Sequence, residues 1–169
     1  MEFFASWVFR CRVWVYLKMN YPELEAPSKV VRKGFEAERK FEEFLKLVGV
    51  KYVKQPKGKM ELENFSVVGK ADFLTEKCVI EVKNSSRNFP IEWIAQLNLY
   101  MKIFDVEKGI LVKFHGDGAQ MKSFEFDEEL YEKSLEYFSW FLENKPDFPR
   151  KCSAKLCSFR HVCLNMGKR

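Results

Sequence analysis

The sequence predicts an α/β fold, a central mixed sheet flanked by helices, and three observations carry that prediction. Helix-like segments stand before and after a meander of short strand-like segments. The chain has 169 residues, enough for one core and short for two. Its 47% hydrophobic and 31% charged content is that of an ordinary globular protein. We therefore read one domain over 1–169, without internal repeats or low-complexity linkers.

Taken in order, a helix is expected over about Ser6–Met19, with Ser6 as its N-cap. Tyr21–Ser28 holds Pro22 and Pro27 and reads as a connection. A second helix is expected from Gly34 to about Val48. Strands follow near Lys51–Gln55, across Glu61–Leu74 in one or two pieces, and at Cys78–Lys83. Pro90 suits the first turn of a helix that runs to about Phe104. Then come a strand at Gly109–Phe114, a turn at His115–Gly118, a strand near Lys122–Phe126, and a long helix from Asp127 to about Asn144. A cysteine-rich tail closes the chain. With 17 phenylalanines, much of the core should be aromatic.

No apolar run approaches the roughly 18–20 residues that span a bilayer. The N-terminal segment lacks the basic start and unbroken apolar stretch of a secretory signal. A cytoplasmic protein without membrane contact is the expectation. The net charge of +5 is mild, and its distribution says more. Arg10, Arg12, Lys18, Lys29, Arg32 and Lys33 lie early, while Arg150, Lys151, Lys155, Arg160, Lys168 and Arg169 close the chain. If the termini meet, these form one basic patch suited to a phosphate backbone. A solvated surface with scattered cations is the other reading.

Chemistry concentrates in Gly69–Lys83. On a strand, Cys78, Ile80 and Val82 share one face, and Val79, Glu81 and Lys83 share the other. The first face is apolar, and the second places a carboxylate and an ammonium side by side. If Leu74 pairs with Lys77, Asp72 lies opposite Val79 and diagonal to Glu81, roughly 7–8 Å away at the backbone. Two carboxylates so placed can share a divalent ion such as Mg²⁺ or Mn²⁺, and a neighbouring lysine can orient or deprotonate water for phosphodiester hydrolysis. Asp followed by Glu-x-Lys is by itself a common coincidence. Glu38 adds to it, because it lies on the same helical stripe as Phe41, Leu45 and Val48, where an acid is costly unless paired or metal-bound. A boundary position facing solvent is the alternative. Gln96 and Tyr100, four residues apart on a helix, project together.

The five cysteines are an odd number in a chain without an export signal, which argues for metal binding over a disulfide framework. Cys152, Cys157 and Cys163 crowd the tail, and Cys11 lies at the other end. Four thiolates are the usual complement of an iron–sulfur cluster, whereas zinc, the alternative, more often takes two short-spaced pairs. Closing so long a loop could contribute about 4–5 kcal/mol, by analogy with a disulfide. Cys78, on the apolar strand face, reads as a core residue. His161 reads as a surface or DNA-facing residue, and His115 as solvated.

Together these segments resemble the Cas-four family of CRISPR-associated nucleases, in the RecB-like branch of the PD-(D/E)XK superfamily. Gly69-Lys70-Ala71-Asp72 resembles the family's Asp motif, Glu81-Val82-Lys83 its Glu-x-Lys motif, and Gln96 through Tyr100 its Gln-x-x-x-Tyr motif. Ser6 through Arg12 is similar to the N-terminal cysteine motif, and Cys152 through Cys163 to the C-terminal triplet. The resemblance implies a restriction-endonuclease-like core whose N- and C-terminal segments, about 1–20 and 150–169, are joined by a cluster on Cys11, Cys152, Cys157 and Cys163. It implies 4Fe–4S ahead of 2Fe–2S. It also implies Mg²⁺- or Mn²⁺-dependent cleavage of single-stranded DNA or DNA ends, with Asp72, Glu81, Lys83, Gln96 and Tyr100 catalytic and Glu38, Asp72 and Glu81 at the metal.

The implied partners are DNA and the CRISPR integrase, and homo-oligomerisation is left open. A DNA-end-binding module without catalysis and a stand-alone repair or viral nuclease are the competing functions. Two differences from the family pattern stand out. Glu38 follows Gly34 where the family commonly has a histidine, and four residues separate Cys152 from Cys157 where two are commoner.

Overall fold

The computed structural model describes residues 1–26, 31–116, 118–155 and 157–167, the side chains of 31–33 excepted. Expectations for Pro27, Ser28, Lys29, Asp117, Lys168 and Arg169, and for the side chains of Arg32 and Lys33, lie outside the described residues. The elements are β1 (Glu2–Phe4), α1 (Arg12–Asn20), α2 (Val31–Leu47), β2 (Val53–Lys54), β3 (Lys57–Glu61), β4 (Ser66–Lys70), β5 (Phe73–Leu74), β6 (Cys78–Asn84), α3 (Ile91–Ile103), β7 (Lys108–His115), β8 (Gly118–Glu125), α4 (Glu128–Glu143) and α5 (Arg160–Met166).

The strands form two sheets. The larger has the order β2-β5-β6-β7-β8, with β6 and β7 parallel and the other pairs antiparallel. The smaller has the order β1-β4-β3, with β1 parallel to β4 and β3 antiparallel to it. This is an α/β fold with mixed sheets flanked by helices, of the restriction-endonuclease-like kind. No helix among the described residues is long and apolar enough to cross a membrane.

The Val- and Ile-rich β6 is covered on both faces, as central strands are. Ile80 and Val82 pack under α2 with Ala37, Phe41, Leu45, Phe73 and Val112, and Cys78 borders them. The three α2 residues recur every four positions, so one helical stripe meets the sheet. Val79 and Leu111 face a larger core with Ala95, Leu97 and Leu99 of α3 and Phe138 and Phe141 of α4. Phenylalanine fills much of it, including Phe3 stacked on Phe138 at 4.9 Å. Asp127 caps α4 by accepting from the Leu130 N–H at 3.0 Å.

Helix α3 lies close against both sheets because three strand glycines, Gly58, Gly69 and Gly109, leave room. A Cβ at Gly109 would come within 2.5 Å of Leu97 Cγ, and one at Gly69 within 2.9 Å of Ile103 Cδ1 and 3.0 Å of Tyr100 Cδ1. The tail returns to the N-terminus through α5. Phe159 and Cys163 pack against Val13 and Leu17 of α1, and Trp14 Nε1 donates to Ser158 Oγ at 3.2 Å.

Several expected boundaries move, each for a physical reason. Helix α1 begins at Arg12 with Cys11 as its N-cap residue, not at Ser6. Ser6 sits in a single 3₁₀ turn, Ala5–Trp7, in which Ala5 and Trp7 are buried against the core. The segment Glu61–Leu74 contributes to three strands, not one or two. The expected strand Lys51–Gln55 shortens to β2 because Gln55 turns at φ 50° ahead of Pro56. Strand β1 and helix α5 were not expected; each is short, and tertiary packing sets both. The strand near Lys122 extends back to Gly118, where Gly118 pairs with His115.

Filling the space over Gly69 should be felt at once. Gly69→Ala is expected to lower stability by about 1–3 kcal/mol, read from urea denaturation, because the buried Tyr100 and Ile103 must move.

Candidate active site

The two sheets diverge along one long hairpin, and the candidate site sits at its bend. Lys54 pairs with Phe73 in the larger sheet, and Lys57 pairs with Lys70 in the smaller one. The register is the same on both sides, so Gln55 and Pro56 face Asp72 and Ala71. The Gln55 N–H donates to the Asp72 carbonyl at 2.8 Å, and the Ala71 N–H to the Pro56 carbonyl at 3.2 Å. Pro56 and the left-handed Gln55 turn the chain here, and Asp72 lies between β4 and β5.

Strand β6 faces that bend. The expected pairing of Leu74 with Lys77 is corrected: Leu74 pairs with Val79 and Phe73 with Ile80. Thr75 sets this register. Its N–H donates to the Cys78 carbonyl at 2.9 Å, and its Oγ1 accepts from the N–H groups of Lys77 and Cys78 at 3.2 and 3.0 Å. The turn therefore centres on Glu76 and Lys77. A shift of two residues preserves sidedness, so Asp72 reaches the position facing Glu81, closer than the diagonal expected.

Asp72 Oδ2 accepts from the Val82 N–H at 2.7 Å. Glu81 is 5% exposed. Its Oε1 accepts from Lys83 Nζ at 2.6 Å and from Gln96 Nε2 at 3.0 Å. Its Oε2 is buried and has no partner. Lys83 Nζ also donates to Gln96 Oε1 at 3.1 Å. Gln96 Nε2 donates to the Tyr100 hydroxyl at 2.7 Å, and that hydroxyl donates to the Lys70 carbonyl at 2.9 Å. A single chain of hydrogen bonds thus runs from Lys83 through Gln96 and Tyr100 back to the Gly69–Asp72 segment.

Burial first, and then the Glu81 charge, pushes the Asp72 carboxyl up to about 8; Glu38 adds to the rise, while the Val82 N–H and Lys83 oppose it. Burial also pushes the Tyr100 hydroxyl well above its usual range, so it is a neutral donor at neutral pH. Glu38 is half-buried and accepts from Gln55 Nε2 at 3.4 Å. Among the described residues, no three His, Cys, Asp or Glu side chains converge closely enough to hold one ion. The fit to a divalent cation rests on Glu81: a buried, unpartnered carboxylate oxygen beside a second carboxylate is a hard donor set of the kind Mg²⁺ and Mn²⁺ take. Glu38 lies near enough to add its charge to the rise at Asp72, without converging with that pair on one point.

Of the cysteines, Cys11 is exposed, Cys152 and Cys157 are half-buried, and Cys163 is buried, all with free thiols. Burial pushes the Cys163 thiol up, and the charges of Cys152, Cys11 and Cys157 push the same way, so the four are electrostatic neighbours. Thiols from both chain ends thus share one neighbourhood, without converging closely enough to hold a single ion. Cys78 lies elsewhere, half-buried beside Thr75 Oγ1 at 3.3 Å. His115 and His161 are both exposed. A cleft of about 860 Å³ joins the two regions, lined among others by Lys83, Gln96, Trp93, Arg10, Trp14 and Cys157.

Sequence reasoning missed Gln55, Lys113 and Trp93. Gln55 orients both Asp72 and Glu38, yet no spacing marks it. Lys113 pairs with Lys83 across β6 and β7, and its ammonium lies 5.2 Å from the Phe89 ring. Trp93 is three residues before Gln96 on α3, a helical spacing that could have found it.

The family model described as PD-(D/E)XK nuclease superfamily matches residues 38–125, a span that holds Glu38, Asp72, Glu81, Lys83, Gln96 and Tyr100. No curated protein matches the chain. Among solved structures, SSO0001 superposes with a TM-score of 0.72 at 24% identity, over 98% of this chain and 86% of that one. The alkaline exonuclease LHK-Exo from Laribacter hongkongensis gives 0.63 at 16% identity, over 83% and 86% of the two chains. A phage-related exonuclease from Haemophilus somnus 129PT gives 0.51 at 17% identity, over 67% and 69%. At these identities the likeness is one of fold.

The raised Asp72 carboxyl makes metal-free stability depend on pH with a definite sign. The folded state keeps a proton that the unfolded chain has lost between pH 3.8 and about 8, so stability falls as pH rises through that window. In chelator, the thermal midpoint should decline across it, and Asp72→Asn should flatten the decline and raise the midpoint at pH 8. A wild-type midpoint that instead rises with pH would contradict the assigned shift.

Proposed function

We propose that this chain, which belongs to the PD-(D/E)XK nuclease superfamily, is a divalent-metal-dependent deoxyribonuclease acting on single-stranded DNA or DNA ends. The observation that carries the reading is the partnerless, buried Glu81 Oε2 next to Asp72 and within one hydrogen bond of Lys83. Asp72 and Glu81, with Glu38 beside them, would hold Mg²⁺ or Mn²⁺. When bound, that ion polarises the scissile phosphate and eases deprotonation of water.

The chain's own residues do the rest. Lys83, anchored by both Glu81 and Gln96, stands where it can orient the attacking water or move its proton, and it offsets charge developing on the phosphate. Gln96 fixes Glu81 and Lys83 relative to each other. Tyr100, a neutral donor, ties Gln96 to the Lys70 carbonyl and so to the segment bearing Asp72. The set is held by buried hydrogen bonds on a strand and a helix, which is the rigidity that positioning catalysis needs.

In this reading Cys11, Cys152, Cys157 and Cys163 hold an iron–sulfur cluster, 4Fe–4S ahead of 2Fe–2S, binding residues of about 1–20 to those of about 150–169 within one domain. The packing of Phe159 and Cys163 on α1 supports that joining of the ends. A role in trimming DNA for the CRISPR integrase follows from the sequence resemblance to the Cas-four family.

Two measurements test this. Glu81→Ala should reduce Mn²⁺-dependent cleavage of a labelled single strand to background while the circular dichroism spectrum is retained, and Lys83→Ala should lower kcat roughly 10²–10⁴-fold. Full activity in either variant would sink the assigned roles. An anaerobic preparation should be brown and carry roughly four irons and four sulfides per chain; a colourless, zinc-loaded protein would remove the cluster.

A further inference from the structure

The cleft beside Lys83 carries more than charge. Trp93 lies one turn before Gln96 on α3, and both side chains line the cleft. The indole is half-buried, its inner part packed against the core. Lys83 Nζ stands 6.0 Å from the ring centroid, so the ring is a direct neighbour of the reacting centre. The Arg87 guanidinium covers the ring at 5.6 Å and is held by Glu92 Oε1 at 2.5 Å. The same cleft holds a second indole covered by an arginine, Trp14 under Arg10 at 4.7 Å. The charges around Arg10 include Glu92 and Arg87, so both covered indoles belong to one stretch of the cleft. A guanidinium on an indole face occupies the surface that a nucleobase uses, and either one sheds apolar area from water.

We propose that Trp93 is a base-stacking platform that seats an unpaired nucleobase beside the scissile phosphate. The inference rests on the nuclease reading and deepens it: the platform positions the nucleotide and does not take part in bond cleavage. Bases inside a duplex have both faces covered by their neighbours, so a single platform next to Lys83 selects unpaired nucleotides by stacking, without reading sequence. It also makes the presence of a base, and not only a phosphate, a condition for efficient cleavage.

The test uses the whole protein with Mn²⁺ and labelled single-stranded oligonucleotides, some with one abasic nucleotide stepped along the strand. Trp93→Ala is expected to raise KM roughly ten- to hundredfold, the loss of one stacked base, with kcat much less affected. Trp93→Phe, which keeps a ring, should stay close to wild type and guards against a folding defect. Wild type should discriminate against abasic substrate at one position, and Trp93→Ala should not. With Ca²⁺ in place of Mn²⁺, single-stranded DNA should quench tryptophan fluorescence in wild type more than in Trp93→Phe. Unchanged KM in a folded Trp93→Ala protein, or abasic discrimination that survives the substitution, would overturn the platform. Absence of cleavage by wild type would instead strike the nuclease reading, and the fluorescence comparison would still decide on Trp93.

Discussion

The hydrogen bond from the Val82 N–H to Asp72 Oδ2 is the interaction on which the site's geometry depends. At that point β5 gives way to the bend, and a backbone donor of β6 would lose its strand partner. A buried donor left without an acceptor costs about 1–3 kcal/mol. Asp72 supplies the acceptor with its side chain, so the ladder continues through a carboxylate. The same carboxylate is thereby held facing Glu81, close to a like charge and largely out of water. One oxygen of that carboxylate thus meets the structural need. The bend itself comes from Pro56 and the left-handed Gln55, whose N–H fixes the Asp72 carbonyl from the other side.

Glu81 shows the complementary arrangement. One of its oxygens is fully engaged by Lys83 and Gln96, and the other is buried with nothing to bind. A neutral network would have satisfied both. Half-satisfied buried networks are costly, and here the cost is concentrated on Oε2. Helix α3 lies close enough to do this because Gly58, Gly69 and Gly109 leave room for Tyr100, Ile103 and Leu97. The glycine of the Gly69–Asp72 segment is therefore a packing device for Tyr100.

The sequence made some of this legible and hid the rest for reasons of range. Long periodic elements stood out: α2, α3, α4, β6 and β7 were all expected near their observed limits, because each carries its own hydrophobic period. Asp72, Glu81, Lys83, Gln96 and Tyr100 were nominated, and the structure brings them together. The Asp72 register was missed by two residues because the turn is set by Thr75, whose hydroxyl captures two backbone N–H groups, a local competition that strand periodicity does not encode. Gln55 was invisible because its role lies in a positive φ, one backbone hydrogen bond and a side-chain bond to Glu38 seventeen residues away. Strand β1 escaped because three residues beside β4 gain their order from a partner more than sixty positions away.

The tail links these local facts to the shape of the site. Phe159 is fully buried against α1, and Ser158 is bonded to both Trp14 and Glu25. Glu25 is in turn paired with Lys18. Ser153, Ala154, Lys155, Cys157 and Ser158 line the same cleft as Lys83, Trp93 and Gln96. Most of these tail contacts are exposed or half-exposed polar contacts, individually weak, and the apolar patch beneath is small. Cys11 and Cys157 line this same cleft, so the N-terminal segment and the tail meet beside the site. Lys83, Trp93 and Gln96 line one part of that cleft, and the cysteine-bearing tail lines another, so the reacting groups and the tail border the same space.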